Sequence, residues 1–205
     1  TVLTGSYPYQ AGIPLNDWYN QKLKDVEYCV EDSNYETVGA PNKTHDGTSP
    51  KNLIGTTVGD ELKNADLKSR IFSLAIKDRS AILMGGHRAD LAFWFHSDAK
   101  QWVSSSYYLK NKTLPKWLQK LNLDKSLDTC DLFGPCGVEM TTAAVESLFD
   151  GEKIGLNGGI DFVAISFSSH DFVGHRHGAN AEIMKTMTLA EDASIAKIRK
   201  MIDKK

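Results

Sequence analysis

The chain has 205 residues, 41% of them hydrophobic, and a formal charge of −2. This length allows one domain, or one domain with a small cap. No apolar run approaches the roughly 20 residues of a bilayer span, and the balanced charge offers no basic surface for nucleic acid.

Residues 1–16 carry turn chemistry in Gly5, Pro8, Gly12 and Pro14. Asn16 closes this segment, and its amide either donates to a substrate oxygen or caps a turn; the sequence alone favours the turn. Glu27–Val30 reads as a short strand, and residues 31–48 as a polar loop. Ser49-Pro50 is a helix start, with Ser as N-cap and Pro at the first helical position. Ile54, Val58 and Leu62 then give that helix one buried face.

Ile71–Ile76 is a buried strand. Lys77-Asp78-Arg79 follows directly. Two cations one residue apart at a strand's carboxyl end form a candidate oxyanion clamp, because Arg offers a planar fork and Lys a point charge. A solvated strand end of mixed charge is the plainer alternative. Leu91–Phe95 and Trp102–Tyr108 are aromatic strands joined as a hairpin by residues 96–100. Leu114–Leu118 opens a short helix, and residues 122–136 are loop. Met140, Ala144 and Leu148 mark an amphipathic helix closed by Gly151.

Phe162–Phe167 is a further apolar strand, expected to be buried. It feeds the polar run 168–178, expected to be a loop, which holds His170, Asp171, His175 and His177. In open α/β sheets, ligands bind at the edge where such strands end. Imidazole nitrogen and carboxylate oxygen are usual zinc donors. Asp171 and His175 are four apart, so one turn of helix or a tight loop can aim both at one ion; a metal-free histidine-rich loop is the alternative. A final helix spans about 181–203, with Met184, Met187, Ile195, Ile198 and Ile202 on a stripe that Glu191 interrupts.

Cys130 and Cys136 share one loop and could form a local disulfide, leaving Cys29 over; this points weakly to an oxidising compartment. Sequons stand at Asn42 and Asn111. Alternating strands and helices predict an α/β fold with a mostly parallel sheet. Roughly 80–135, with the aromatic hairpin, is expected to form a cap or insertion.

In order, the chain carries Thr4-Gly5-x-x-Pro8, Gly12-Ile13-x-x-Asn16-x-Trp18 and Tyr28-Cys29-x-Glu31-Asp32. Ser49-Pro50-x-Asn52, Lys77-Asp78-Arg79, Gly86-His87 and Ser105-x-Tyr107-Tyr108 come next. Ser166-x-Ser168-Ser169-x-Asp171-x-x-Gly174-His175 ends the series. Together these resemble the alkaline phosphatase superfamily, in its type I phosphodiesterase/nucleotide pyrophosphatase group. Within the group they are most similar to the monomeric, phosphate-irrepressible bacterial phosphatases.

The resemblance implies a phosphoesterase with two zinc ions that hydrolyses small phosphate monoesters through a phosphothreonine. Asp171 and His175 would be two ligands of one zinc. Asn16 would contact a phosphoryl oxygen, and Lys77 and Arg79 would engage the others. The resemblance also implies that the nucleophilic threonine and an early metal-binding Asp lie before Thr1. Further ligands would lie beyond Lys205. The chain is therefore expected to be a fragment, inactive by itself and apt to associate with its flanking segments. Ala11 stands where a histidine is common, and His170 and His177 are expected to be solvated neighbours of the site. The stretch from Arg79 to Asp171 looks short for the family. Localisation by analogy is periplasmic or secreted. A phosphodiesterase or nucleotide pyrophosphatase, and a non-catalytic module of the same fold, are the alternatives.

Overall fold

The computed structural model describes residues 2–41 and 47–204, so the sequon at Asn42 lies outside the described residues. β1 (Asp17–Asn20) and β2 (Asp25–Tyr28) pair as an antiparallel hairpin, and β3 (Thr37–Val38) follows. Next come α1 (Val58–Ala65), β4 (Arg70–Ala75), α2 (Asp78–Gly85), β5 (Leu91–His96) and β6 (Gln101–Ser105). The chain continues through α3 (Lys116–Leu121), α4 (Ser126–Thr129), α5 (Pro135–Gly151), β7 (Asp161–Ser166), α6 (Ser168–His177) and α7 (Glu182–Ile202).

The fold is α/β, around a five-stranded sheet ordered β3-β6-β5-β4-β7. The sheet is mixed rather than mostly parallel: β5, β4 and β7 run parallel, whereas β6 pairs antiparallel with β5 and with β3. The aromatic hairpin expected in a cap is the β5–β6 pair, and it lies within this sheet. The reason is the period-2 alternation of its large side chains. Phe93, Phe95 and Trp102 enter one core with Phe72, Leu74 and the α5 residues Ala144, Val145 and Leu148. Trp94 and Val103 enter a second core on the opposite face, with Ala75 and the α2 residues Ala81 and Ile82. Both faces of β4 are covered, which is why it is mostly apolar from Ile71 on; the buried Ser73 hydroxyl is satisfied by the Ala81 carbonyl.

β7 is an edge strand of which only Ala164 is buried, rather than the buried strand its apolar run predicts. The helix expected from Ser49-Pro50 is also displaced. The Ser49 hydroxyl donates to the buried Asp32 carboxylate and Pro50 opens a turn closed by Leu53, so neither is free to start a helix. The helix starts instead at Thr57, whose side chain accepts from the Asp60 N–H while the Asp60 carboxylate accepts from the Thr57 N–H. This reciprocal cap settles both groups. It leaves Ile54 and Val58 exposed, at 67% and 52%. On α7 the buried positions are Met187, Ser194 and Ile198, with Ile195 and Ile202 turned to solvent. Glu191 interrupts the stripe because it receives His170, 2.8 Å away. Cys130 and Cys136 are disulfide-bonded. Cys29 is free, and burial pushes its thiol up to about 11.

Candidate active site

β4 and β7 are parallel neighbours, with Ala75 opposite Ser166. Their carboxyl ends therefore leave the sheet side by side. Lys77 is the N-cap of α2, and Arg79 stands in its first turn. The run after β7, expected to be a loop, is the helix α6; Asp171 lies in its first turn and His175 in its last. Helix geometry puts residues four apart on one face, so the spacing of Asp171 and His175 aims both the same way. β5 ends in the same direction at His96 and hands over to Ser97 and Asp98.

These ends enclose one open cavity of about 670 Å³, whose lining includes Lys77, Arg79, Asp171, His175, Tyr28 and residues 96–98. The Lys77 ammonium pairs with one oxygen of Asp171. His175 Nε2 lies 3.3 Å from the other. The hydrogen bond from Lys77 holds the Asp171 carboxyl below the usual carboxylate range despite some desolvation, aided by the charges of Lys77, His175 and Arg79.

Arg79 is held from behind. The Tyr28 hydroxyl donates to Asp78 Oδ1 over 2.6 Å, and the Arg79 backbone N–H donates to the same oxygen over 2.7 Å. Arg79 Nη1 in turn donates to the Tyr28 hydroxyl at 3.4 Å. Burial, and then the Asp78 charge, push the Tyr28 phenol well above its ordinary value, so it remains a donor.

Asn16 is placed differently. It lines a second, mainly apolar cavity of about 630 Å³ with Pro8, Leu53, Leu83 and Phe162. Arg79 borders both cavities and is the residue they share among these candidates. The Asn16 carbonyl accepts from the Cys29 N–H at 2.8 Å, anchoring the loop to the end of β2.

Asp171 and His175 are a donor set suited to zinc, but two donors do not complete a four-coordinate site. Among the described residues, no group of three or more His, Cys, Asp or Glu side chains is placed to hold a metal ion. The pair fits as a contribution to a metal site and not as the whole of one. His170 is tied to Glu191, and His177 is exposed.

Several other quoted motif residues join loops to one another. Asn52 Nδ2 donates to Glu27 at 3.1 Å. The Tyr108 hydroxyl donates to the Gly86 carbonyl at 3.1 Å, and the Tyr107 hydroxyl to the His87 carbonyl at 3.0 Å. Gly86 has φ +72, and an added Cβ would strike Thr57 and Asp60. The residues missed in the sequence are Tyr28, as the support of Arg79, and Phe172, whose ring lies 4.6 Å beneath the Lys77 ammonium. Tyr28 stands in one of the motifs, but nothing in local spacing ties it to Arg79 or Phe172 to Lys77; each role is recognisable only from its partner.

The family model for type I phosphodiesterase / nucleotide pyrophosphatase matches residues 1–205. The chain is 31% identical to alkaline phosphatase PhoV of Synechococcus elongatus, over all of this chain and 46% of that protein. It is 28% identical to alkaline phosphatase PafA of Elizabethkingia meningoseptica, over all of this chain and 47% of that one. The PhoV alignment spans 256 positions, more than the 205 residues here, so PhoV carries insertions that this chain lacks. A crystal structure of wild-type PafA superposes with a TM-score of 0.88 at 27% identity, covering 99% of this chain and 49% of that one. A PafA variant with a threonine, an asparagine, a lysine and an arginine substituted superposes with a TM-score of 0.90 at 26% identity over the same shares. The chain spans about half the length of the curated relatives it matches.

Proposed function

Because the chain belongs to the type I phosphodiesterase / nucleotide pyrophosphatase family of the alkaline phosphatase superfamily, we propose that it forms the phosphate-binding part of a zinc-dependent phosphatase acting on small phosphate monoesters. One observation carries the reading. Lys77 and Arg79, from the end of β4, share a cavity with Asp171 and His175, from the helix after β7. A phosphoryl group in transfer spreads charge over its non-bridging oxygens. Fixed cations that meet this charge lower the barrier. Two cations suit the dianionic monoester better than a diester, which has one fewer charged oxygen.

In this reading Asp171 and His175 are two ligands of one zinc, which when bound polarises the phosphoryl oxygens. Arg79 presents its fork from a side chain held by Tyr28, and Lys77 its point charge. In the same reading Asn16, which lines the second cavity together with Arg79, contacts a phosphoryl oxygen. The attacking threonine, which forms a phosphothreonine, and the remaining ligands are supplied from outside these 205 residues. The Cys130–Cys136 bond supports a periplasmic or secreted site of action.

The test is turnover of a monoester and a diester by the full-length protein in zinc, with Lys77→Ala and Arg79→Ala alongside. We expect monoester preference, and larger losses for the monoester in both variants. A strong diester preference would overturn the monoester claim and favour the diesterase named in the family's description. Zinc-free, normally folded full-length protein would sink the metal claim and favour a non-catalytic module. The 205 residues alone are expected to be inactive; turnover that is lost on Asp171→Ala would refute that.

A further inference from the structure

Behind Lys77 lies a stack of rings that the phosphate-binding reading does not use. The Lys77 ammonium sits 4.6 Å above the Phe172 ring. Phe172 packs on Phe133 at 5.3 Å, and the Arg176 guanidinium covers Phe133 at 3.5 Å. Phe133 belongs to the loop that the Cys130–Cys136 bond closes. That loop leads into α5, where Gly137 packs against α6 so closely that a Cβ would fall 2.0 Å from Ser169 Oγ. The Lys77 backbone N–H also points at Ser168 Oγ, 3.4 Å away. The stapled loop, the start of α6 and the Lys77 turn are thus in contact as one body.

We propose that Phe172, backed by Phe133 on the disulfide-stapled loop, is a positioning residue that holds the Lys77 ammonium where a phosphoryl oxygen can meet it. The proposal rests on the reading of Lys77 as a phosphate contact. The physical need is plain. Lys carries three donors on a flexible four-carbon stem. One donor faces Asp171. Left to that carboxylate alone, the ammonium would swing with it, since Asp171 is half exposed. The negative face of an aromatic ring attracts a cation without taking up a donor directionally as a carboxylate does. Ring below and carboxylate beside leave the remaining N–H directions to the cavity. Arg79 needs no such support, because Tyr28 and Asp78 hold it.

The experiment uses the full-length protein in zinc, and measures inhibition by inorganic phosphate together with kcat and KM for a monoester. Phe172→Leu keeps apolar bulk and removes the ring face; Phe172→Tyr keeps the face. We expect Phe172→Leu to weaken phosphate inhibition and kcat/KM about three- to tenfold, and Phe172→Tyr to stay near wild type. In a Lys77→Ala background, Phe172→Leu should add nothing, because the two residues act through one contact. An additive loss there would show a merely structural role and overturn the proposal. So would wild-type phosphate inhibition in Phe172→Leu while Lys77→Ala is impaired; the monoester reading then survives. If Lys77→Ala changes neither quantity, the reading of Lys77 fails and this proposal with it. Should Phe172→Leu not fold, Phe133→Leu serves in its place. A smaller loss of the same sign, absent in the Lys77→Ala background, supports positioning, and unchanged inhibition overturns it.

Discussion

The two strand ends that build the cavity differ in how firmly they hold their charged groups. β4 is covered on both faces and flanked on both sides. The cations that follow it are correspondingly confined: the Lys77 side chain is 15% exposed and pairs with Asp171, and Arg79 is held through Tyr28 and Asp78. β7 is an edge strand, and the two proposed metal donors that follow it stand largely in solvent. The Asp171 side chain is 51% exposed and that of His175 82%. Within these 205 residues the cations proposed as an anion clamp are therefore held in advance, whereas the pair proposed as metal ligands is placed but not surrounded. Preorganised donors lose little on meeting their ligand. If Asp171 and His175 are metal donors, as proposed, two such exposed side chains on one helix face gain their rigidity only when an ion and further ligands arrive.

This contrast can be broken from the β7 side first. In the full-length protein, Asp171→Ala is expected to lower both zinc content and monoester turnover, the latter about a thousandfold, because metal stabilisation of phosphoryl charge is worth several kcal/mol. Zinc content equal to wild type, measured by elemental analysis, would show that the metal half does not use Asp171.

From the β4 side, Arg79→Ala should lower monoester kcat/KM about a hundredfold with zinc content unchanged, the scale of removing one fixed donor from charge that develops in the reaction. Arg79→Lys should recover only part, because a point charge cannot reproduce the fork. Tyr28→Phe, which removes only the hydroxyl behind Arg79, should cost about three- to tenfold, the worth of one hydrogen bond in a network. If Tyr28→Phe matches wild type in steady-state kinetics, the guanidinium does not depend on its support, and the supposed rigidity of this half is wrong.

The two halves were also unequally legible from sequence. The β4 strand declares itself by a mostly apolar run, whereas Lys77 and Arg79, which follow it directly, read equally as a solvated strand end until the family resemblance marks them. Asp171 and His175 are suggested by a spacing of four, one helical turn, but that spacing leaves a metal-free histidine-rich segment equally open, and the resemblance is what singles them out. Whether the β4 and β7 ends lie together was beyond local pattern, because it depends on a parallel pairing across some ninety residues, with Ala75 opposite Ser166. The Ser49-Pro50 signal misled because side-chain oxygens cap turns as readily as helices, and Ser49 is engaged by Asp32. The hairpin residues 91–105 looked like a cap because an antiparallel pair breaks the βα alternation; burial of Phe93 and Trp102 in the main core decided otherwise. Tyr28 stands in a motif that says nothing of Arg79, Phe172 stands in none, and the roles of both arise from contacts 51 and 95 positions away along the chain.

The smallest expected effect is on acid titration, and it sharpens the contrast without any turnover. The Asp171 carboxyl titrates below its unfolded value of about 3.9, chiefly because Lys77 donates to it. A depressed carboxylate contributes stability that is present above the unfolded value and is lost as pH falls through the folded one. In Lys77→Ala that depression should largely disappear, so carbon NMR of the side-chain carboxyl should show Asp171 titrating closer to its ordinary value. The accompanying loss of stability near neutral pH should be slight, since half of the group faces water and solvent screens exposed pairs. An Asp171 titration unmoved by Lys77→Ala would mean that the ammonium is not seated on the carboxylate, and that the two strand ends do not share their charges across the cavity.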